Sequence, residues 1–349
     1  MEKTGFVTIV LAAGKGTRMK SRLPKVLHKA AGKPMVQHVL DAAKAAGARR
    51  QIVVTGFGGA MVREAIGSQA ECVVQKEQLG TGHAVLQAKE LLAGEKGTLM
   101  VLCGDTPLLT PAALEKLAHE HEQQHAKATI LTAIFDDATG YGRIIRDADG
   151  SVMKIVEQKD ASEEEKKVLE ANAGIYCFDI EALFAALAKV TNDNAQGEYY
   201  LPDVIAILKN AGEKIWATAA DDAEDTLGIN SRLQLAGAEK ILRRRKCEEL
   251  MADGVTIMDP ATTYVDVDVK VGRDTVLYPM TWLEAGTEIG EGCEIGPSVR
   301  FQNVKCGDHV TGQFTYAHDC VLDAGVILGQ FTHIRPDTHL AEDVKIGNF

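Results

Sequence analysis

The sequence predicts an α/β chain: a Rossmann-like, doubly wound sheet domain, a linker helix, and a left-handed parallel β-helix of hexapeptide repeats. Three observations predict it. Short Val- and Ile-rich runs alternate with amphipathic stretches through the first two thirds of the chain. A single long amphipathic stretch with no strand inside it follows. Beyond Gly254, apolar residues recur at every sixth position.

The runs Val7–Leu11, Ile52–Thr55, Cys72–Gln75, Thr98–Leu102 and Thr129–Phe135 are apolar throughout rather than alternating, as strands covered on both faces are. Between them, Met35–Ala46, Gly82–Leu92 and Ala112–Gln124 have helical spacing. Pro111 stands at the start of the last, where a missing N–H costs nothing. Strand–helix–strand alternation predicts a parallel sheet with its ligand crevice at the carboxyl ends of the strands. This domain is expected to span residues 1–229.

Residues 230–251 read as the linker helix, and the run Arg243-Arg244-Arg245-Lys246 as its solvated face. The repeat domain is expected over 252–349. Val265, Val271, Leu277, Leu283, Ile289, Ile295 and Phe301 hold the first frame; after a slip of three, Val304, Val310, Tyr316, Leu322, Leu328, Ile334, Leu340 and Ile346 hold the second. Neither an α-helix nor an alternating strand has a period of six; a hexapeptide β-helix does, with the apolar residue pointing inward. The chain stops at Ile346-Gly347-Asn348-Phe349 inside a repeat, so a longer natural chain is expected.

Hydrophobic residues make up 46% and charged residues 25%, an ordinary globular composition. A net charge of −11 argues against general affinity for nucleic acid or anionic membrane. The seven cysteines are scattered and show no C-x-x-C spacing, which predicts neither disulfides nor a zinc site and fits a reducing cytoplasm. The apolar run Phe6–Ala13 is short and weakly flanked by cations, so it reads as a strand and not as a signal peptide.

Against this acidic background, Lys15, Arg18, Lys20, Arg22 and Lys25 cluster in one stretch. Leu11-Ala12-Ala13-Gly14-Lys15-Gly16-Thr17-Arg18-Met19 follows the first strand and precedes Pro24-Lys25. Small residues let backbone N–H groups approach phosphates, and Arg18 and Lys25 add mobile positive charge. The loop is neither a Walker A sequence nor a dinucleotide fingerprint, since Met19 stands where the third glycine would fall. From their local setting alone, Asp105 reads as a turn residue, Asn230 as a helix cap and Gln75 as a strand end.

The order of these blocks resembles a known family. Leu11–Met19 is followed by Gln75, Gln78-Leu79-Gly80-Thr81-Gly82-His83-Ala84, Gly104-Asp105-Thr106-Pro107-Leu108, Gly140-Tyr141-Gly142-Arg143, Val156-Glu157-Gln158-Lys159-Asp160, Asn172-Ala173-Gly174 and Gly228-Ile229-Asn230. Over nearly the whole chain this resembles the bacterial bifunctional N-acetylglucosamine-1-phosphate uridylyltransferases / glucosamine-1-phosphate acetyltransferases. The resemblance implies UMP transfer from UTP to N-acetylglucosamine 1-phosphate, giving UDP-N-acetylglucosamine for cell-wall precursors and releasing pyrophosphate. It implies that Leu11, Ala12, Ala13 and Gly14 flank the nucleotide and that Gln75, Gly80 and Thr81 hold the uracil. Asp105 and Asn230 would hold Mg²⁺, which takes few protein ligands. Arg18 and Lys25 would be the catalytic cations. Gly142, Glu157 and Asn172 would bind the sugar, with Tyr199 and Thr226 as further lining.

In the second domain the resemblance implies acetyl transfer from acetyl-CoA to glucosamine 1-phosphate, with Arg335 on the acceptor phosphate and assembly as a homotrimer through the β-helix. The catalytic histidine of that reaction would lie beyond Phe349, and His309, His318, His333 and His339 do not match it, so this chain is expected to lack acetyl transfer. Two other readings are weighed: a sugar-1-phosphate nucleotidyltransferase for another base or sugar, and a non-catalytic scaffold with the same domain pair. The Gln78–Ala84 block argues against the first, and retention of Lys15, Arg18, Lys25, Asp105 and Asn230 against the second.

Overall fold

A computed structural model describes residues 5–349. The chain folds as two compact units. One runs up to His28 and then takes Pro34–Gln234; the other takes Lys29–Lys33 and Leu235–Phe349.

β1 (Phe6–Ala12) opens the first unit, and the chain then passes through β2 (Lys29–Ala30) and β3 (Lys33–Pro34), of which Lys29–Lys33 belong to the second unit. Next come α1 (Met35–Ala45), β4 (Ala48–Thr55), α2 (Gly59–Ile66), β5 (Glu71–Val74), α3 (Thr81–Leu86), β6 (Thr98–Cys103) and α4 (Pro111–Gln123). The chain continues as β7 (Ala128–Ile134), β8 (Arg143–Arg146), β9 (Val152–Val156), β10 (Glu170–Asp179), α5 (Ile180–Leu187), α6 (Asp203–Asn210) and β11 (Ile215–Ala219). The main sheet runs β11-β7-β10-β6-β1-β4-β5, with β8 added to β10 and β9 to β8.

The expected strands are present, but the sheet is mixed. β10 runs antiparallel to both β6 and β7, and β8 and β9 are antiparallel additions. The alternation rule missed them because no α-helix separates β8, β9 and β10, only a single 3-10 turn at Glu165–Lys167. The helix expected over Gly82–Leu92 ends at Leu86 and gives way to turns.

Both faces of the sheet are covered, which is why its strands read as unbroken apolar runs. Val7, Ile9, Ile52 and Val54 pack with Val85, Leu183, Val204 and Ile205 on one face. Val10, Val53, Met100 and Leu102 pack with Val36, Leu40, Val62, Leu114 and Leu117 on the other. Thr110 caps α4, its hydroxyl accepting from the Ala113 N–H, with Pro111 in the first turn.

In the second unit the strands are short, parallel and stacked in ladders. One ladder joins Ile257, Leu277, Ile295, Gly312, Leu328 and Ile346. A second joins Val265, Leu283, Phe301, Ala317 and Ile334. Their side chains form one core with Val304, Cys306 and Leu322. Leu277 faces Ile295 after a full coil of 18 residues, but Ile295 faces Gly312 after 17 and Gly312 faces Leu328 after 16. The three-residue slip is therefore spread over two shortened coils. Ala317 takes the inner position facing Phe301, and the expected Tyr316 is half-buried, stacked on His318 and His333.

The last helix, α7 (Arg232–Ala252), carries the basic run, which is not simply a solvated face. Lys246 is buried and paired with Glu249. Arg243 pairs with Glu239 and lies over the Tyr264 and Trp282 rings at 4.9 and 5.2 Å. Among the described residues no helix is long and apolar enough to cross a membrane.

Candidate active site

Strand direction decides where the loops meet. β1, β4, β5, β6, β7 and β11 end at one edge, and antiparallel β10 begins there. The chain leaves β1 for β4 on one side, while β6 lies on the other, so the crevice opens between β1 and β6. The Gly104 N–H after β6 donates to the Leu11 carbonyl at 2.9 Å. A Cβ on Gly104 would stand only 3.0 Å from that oxygen, so glycine permits the approach.

In the loop after β1, Ala12 and Ala13 are buried and Gly14 is exposed with open space above it. Gly16 has φ 59°, and a Cβ there would meet the Lys25 stem at 2.5 Å. Only glycine lets the loop turn onto that lysine. Arg18 is exposed in the short turn Thr17–Met19, which Met19 anchors in the interior.

Lys25 joins three distant parts of the chain. Its ammonium forms an ion pair with Asp105 and donates to Asn230 Oδ1 at 2.8 Å. The local reading of Asp105 as a turn residue holds but is incomplete, and that of Asn230 as a helix cap fails. Asn230 does not cap α7, because the Ser231 hydroxyl accepts from the Gln234 N–H at 3.2 Å. The Gln234 side chain in turn accepts from the Asn230 N–H at 2.7 Å, leaving the Asn230 amide free to face Lys25. Asp105 sits in the turn, where its carbonyl accepts from the Ile229 N–H at 2.8 Å, yet its carboxylate faces the crevice lysine. A carboxylate and an amide oxygen thus converge on one cation. Hard oxygen donors, few in number, are the set Mg²⁺ accepts, and here an ammonium marks the cation position. Among the described residues no group of three or more His, Cys, Asp or Glu is placed to hold a metal ion.

On the β4–β5 side, Gln75 is buried at the end of β5. Its amide nitrogen donates to the Gly80 carbonyl at 3.0 Å and meets His83 Nδ1 at 3.1 Å. The nitrogen being committed, the amide oxygen is the atom left to accept from a ligand. Gly80 has φ 109°, and a Cβ there would stand 2.6 Å from the Tyr199 carbonyl. That contact comes from the Tyr199 backbone, which donates to the Leu79 carbonyl and accepts from the Gly82 N–H, both at 2.8 Å. The Thr81 hydroxyl accepts from the Leu201 N–H at 3.0 Å. The Tyr199 backbone therefore clamps this segment, and its half-buried ring lies 6.5 Å from the His83 ring. Thr226 is fully buried, donates to the Ala223 carbonyl and lines nothing.

On the β10 side, Gly142, Glu157 and Asn172 meet. A Cβ on Gly142 would lie 3.3 Å from Glu157 Oε1 and 3.6 Å from Asn172 Cβ. The Gly142 carbonyl accepts from the Asn172 N–H at 2.8 Å, and the Asn172 amide donates to the Tyr176 hydroxyl at 2.6 Å. Burial raises the Glu157 carboxyl above its ordinary range, and Asp160, Asp203 and Glu198 push the same way. Burial likewise pushes the Cys103 thiol, beside Asp105, Lys25 and Glu157, up to about 12. It is therefore held protonated and is no nucleophile at neutral pH. Arg335 is exposed on the coil of the second unit.

Sequence reasoning missed the Tyr199 clamp, the Asn172–Tyr176 bond and the burial of Arg143. Gly80, which allows the clamp, carried a signal in its block; the Asn172–Tyr176 bond spans an irregularity within β10, and the burial of Arg143 depends on the unforeseen β8–β10 pairing.

This fold and crevice define a nucleotide-handling transferase. The model of the family described as nucleotidyl transferase matches residues 7–283. The bifunctional protein GlmU of Geobacillus sp. (strain WCH70) is 51% identical over 341 residues, covering 98% of this chain and 74% of that protein. The bifunctional protein GlmU of Halalkalibacterium halodurans is 50% identical, covering 98% and 75%. A solved UDP-glucose pyrophosphorylase complexed with UDP-glucose shares the fold at 18% identity and a TM-score of 0.55, over 69% of this chain and all of that one. The chain belongs to the nucleotidyl transferase family, and within it to the bifunctional GlmU proteins.

Proposed function

We propose that the first unit transfers UMP from UTP to N-acetylglucosamine 1-phosphate, forming UDP-N-acetylglucosamine and releasing pyrophosphate. The observation that carries this is the convergence of Lys25, Asp105 and Asn230 at the switch point of the sheet, between the Gly14–Arg18 loop and the Gly142–Glu157–Asn172 cluster. It supports a site where two phosphorylated substrates meet a cation.

UTP would lie across the carboxyl ends of β1 and β4, with its phosphates on the glycine loop and beside Lys25 and Arg18. The free Gln75 oxygen suits the N3–H of uracil, and the Gly80–Thr81 segment, pinned by Tyr199, closes against the base. The sugar phosphate would enter beside β10, where the Gly142 N–H, Glu157 and Asn172 offer partners to hydroxyl and acetamido groups. Such buried polar partners reject analogues that lack those groups. The attacking phosphate oxygen is already anionic, so no general base is needed. Lys25 and Arg18 lessen the repulsion between two polyanions and hold them in line. Asp105 and Asn230 are the residues that would hold a divalent ion, which we assign as Mg²⁺. When bound, such an ion supplies Lewis-acid stabilisation of charge on the phosphates.

The finer assignments belong to the same proposal: a uridylyltransferase domain over 1–229, the linker helix over 230–251 and the repeat domain over 252–349, with residence in the cytoplasm. In the intact protein the coil unit would contribute to acetyl transfer from acetyl-CoA to glucosamine 1-phosphate, with Arg335 toward an acceptor phosphate, and would form the homotrimer contact. The test is pyrophosphate release from UTP, CTP, ATP, GTP and dTTP with a panel of sugar 1-phosphates, with and without Mg²⁺. The expected pattern is Mg²⁺-dependent release with UTP and N-acetylglucosamine 1-phosphate well above every other pair. Equal rates across bases or across sugars would overturn the assignment.

A further inference from the structure

Arg143 is the largest side chain among the fully buried residues, only 2% exposed. A buried guanidinium ordinarily has a carboxylate. Among the described residues no carboxylate forms an ion pair with Arg143, although its charge helps lower the exposed Asp137 carboxyl, and its Nε has no hydrogen-bond partner. Its other nitrogens donate to backbone carbonyls: NH1 to Tyr141, and NH2, at 3.5 Å, to Lys166. A charge buried on these terms adds little to stability, so its presence calls for another reason.

Its place in the sheet supplies one. Arg143 opens β8, where it faces Ala171 of β10 on one side and Val156 of β9 on the other. The next residue along each of those partners is Asn172 and Glu157. Gly142 precedes Arg143 and lies between the two, with its carbonyl on the Asn172 N–H. The carbonyl that Arg143 grips belongs to Tyr141, so the peptide it holds is the one that presents the Gly142 N–H. Loss of that grip would let this N–H swing while the sheet pairing on either side stayed intact.

We propose that Arg143 is a positioning residue for the sugar phosphate: it touches no substrate, but its buried fork fixes the 141–142 peptide between Glu157 and Asn172. This rests on the reading of Gly142, Glu157 and Asn172 as the sugar half-site. A lysine cannot replace the fork, since one ammonium on a flexible stem cannot hold two carbonyls in a fixed plane.

The experiment compares Arg143→Met, Arg143→Lys and Asn172→Ala in the full chain. It measures KM for each substrate, kcat, UTP affinity by calorimetry and Tm. For Arg143→Met the expected result is a KM for N-acetylglucosamine 1-phosphate raised about tenfold, about 1.4 kcal/mol. UTP affinity should change less than twofold, and Tm should be unchanged or higher because an unpaired buried charge has gone. Arg143→Lys should raise the same KM by a smaller factor, and it carries the test if the Met variant does not fold. A lowered Tm with an unchanged sugar-phosphate KM, or equal weakening of both substrates, would overturn the proposal. Asn172→Ala separates the two levels. If it leaves the sugar-phosphate KM unchanged, the half-site reading itself fails; if it raises that KM and the Arg143 variants do not, only the role of Arg143 fails.

Discussion

Removing the Lys25 ammonium should make this chain bind divalent metal more tightly in the absence of nucleotide. The ammonium pairs with Asp105 and bonds Asn230 at 2.8 Å, so a metal seeking those two oxygens must first displace it. The Lys25 and Asp105 side chains are only 14% and 17% exposed, so solvent and salt screen the pair weakly. A hydrogen bond to a charged group contributes about 1.5–3 kcal/mol. In Lys25→Met that cost of displacement is gone, and at about 1.4 kcal/mol per decade metal affinity should rise roughly ten- to a hundredfold. The assay is Mn²⁺ binding followed by electron paramagnetic resonance or calorimetry, without nucleotide, on the wild type, Lys25→Met and Asp105→Asn. Metal-free Lys25→Met should also be less stable by about 1–3 kcal/mol, because Asp105 is left unpaired, and metal should restore the loss. Its turnover should still fall, roughly a hundredfold or more, because a cation beside the phosphates has gone. Unchanged or weaker Mn²⁺ binding in Lys25→Met, with wild-type binding lost in Asp105→Asn, would refute this reasoning.

Other consequences are as direct. Gly80→Ala would place a methyl 2.6 Å from the Tyr199 carbonyl, at φ 109°; UTP affinity should fall at least tenfold, by calorimetry, with the repeat unit still folded. His121 is buried and bonded to Thr129, and burial lowers its pKa from 6.5 to about 4. Its neutral form is favoured on folding, so this stability is full above pH 6.5 and is lost as pH falls toward 4, by up to about 3 kcal/mol. Urea unfolding of His121→Gln against pH should show a flatter slope in that window than the wild type. Gly312 takes an inner ladder position, where an added Cβ would meet Leu328 at an ordinary 3.5 Å. Gly312→Ala should stabilise the coil by about 0.4–1 kcal/mol in denaturant titration; destabilisation would show that the coil cannot accept the methyl.

Much of this could be read in the residues. Unbroken apolar runs located β1, β4, β5, β6 and β7, because both faces of the sheet are covered. The six-residue period located the coil, because only the inward position must be apolar. What could not be read depends on pairing. β8, β9 and β10 are joined without α-helices, so no change of period announces that they enter the sheet antiparallel. Period counting put Tyr316 inside because it treats each coil as equal, whereas two successive coils shorten to place Gly312 and Ala317 there. In the site, the glycines were legible as loop formers. The meeting of Lys25 with Asp105 and Asn230, 80 and 205 residues away, rests on tertiary structure and was reached only through family resemblance.

The most direct test of the account is phosphorus NMR of UTP and N-acetylglucosamine 1-phosphate with Mg²⁺, run with the wild type and with Asp105→Ala. The account predicts UDP-N-acetylglucosamine and pyrophosphate appearing in equal amounts with the wild type and no detectable product over the same interval with the variant. No product from the wild type, or product from Asp105→Ala at the wild-type rate, would contradict it.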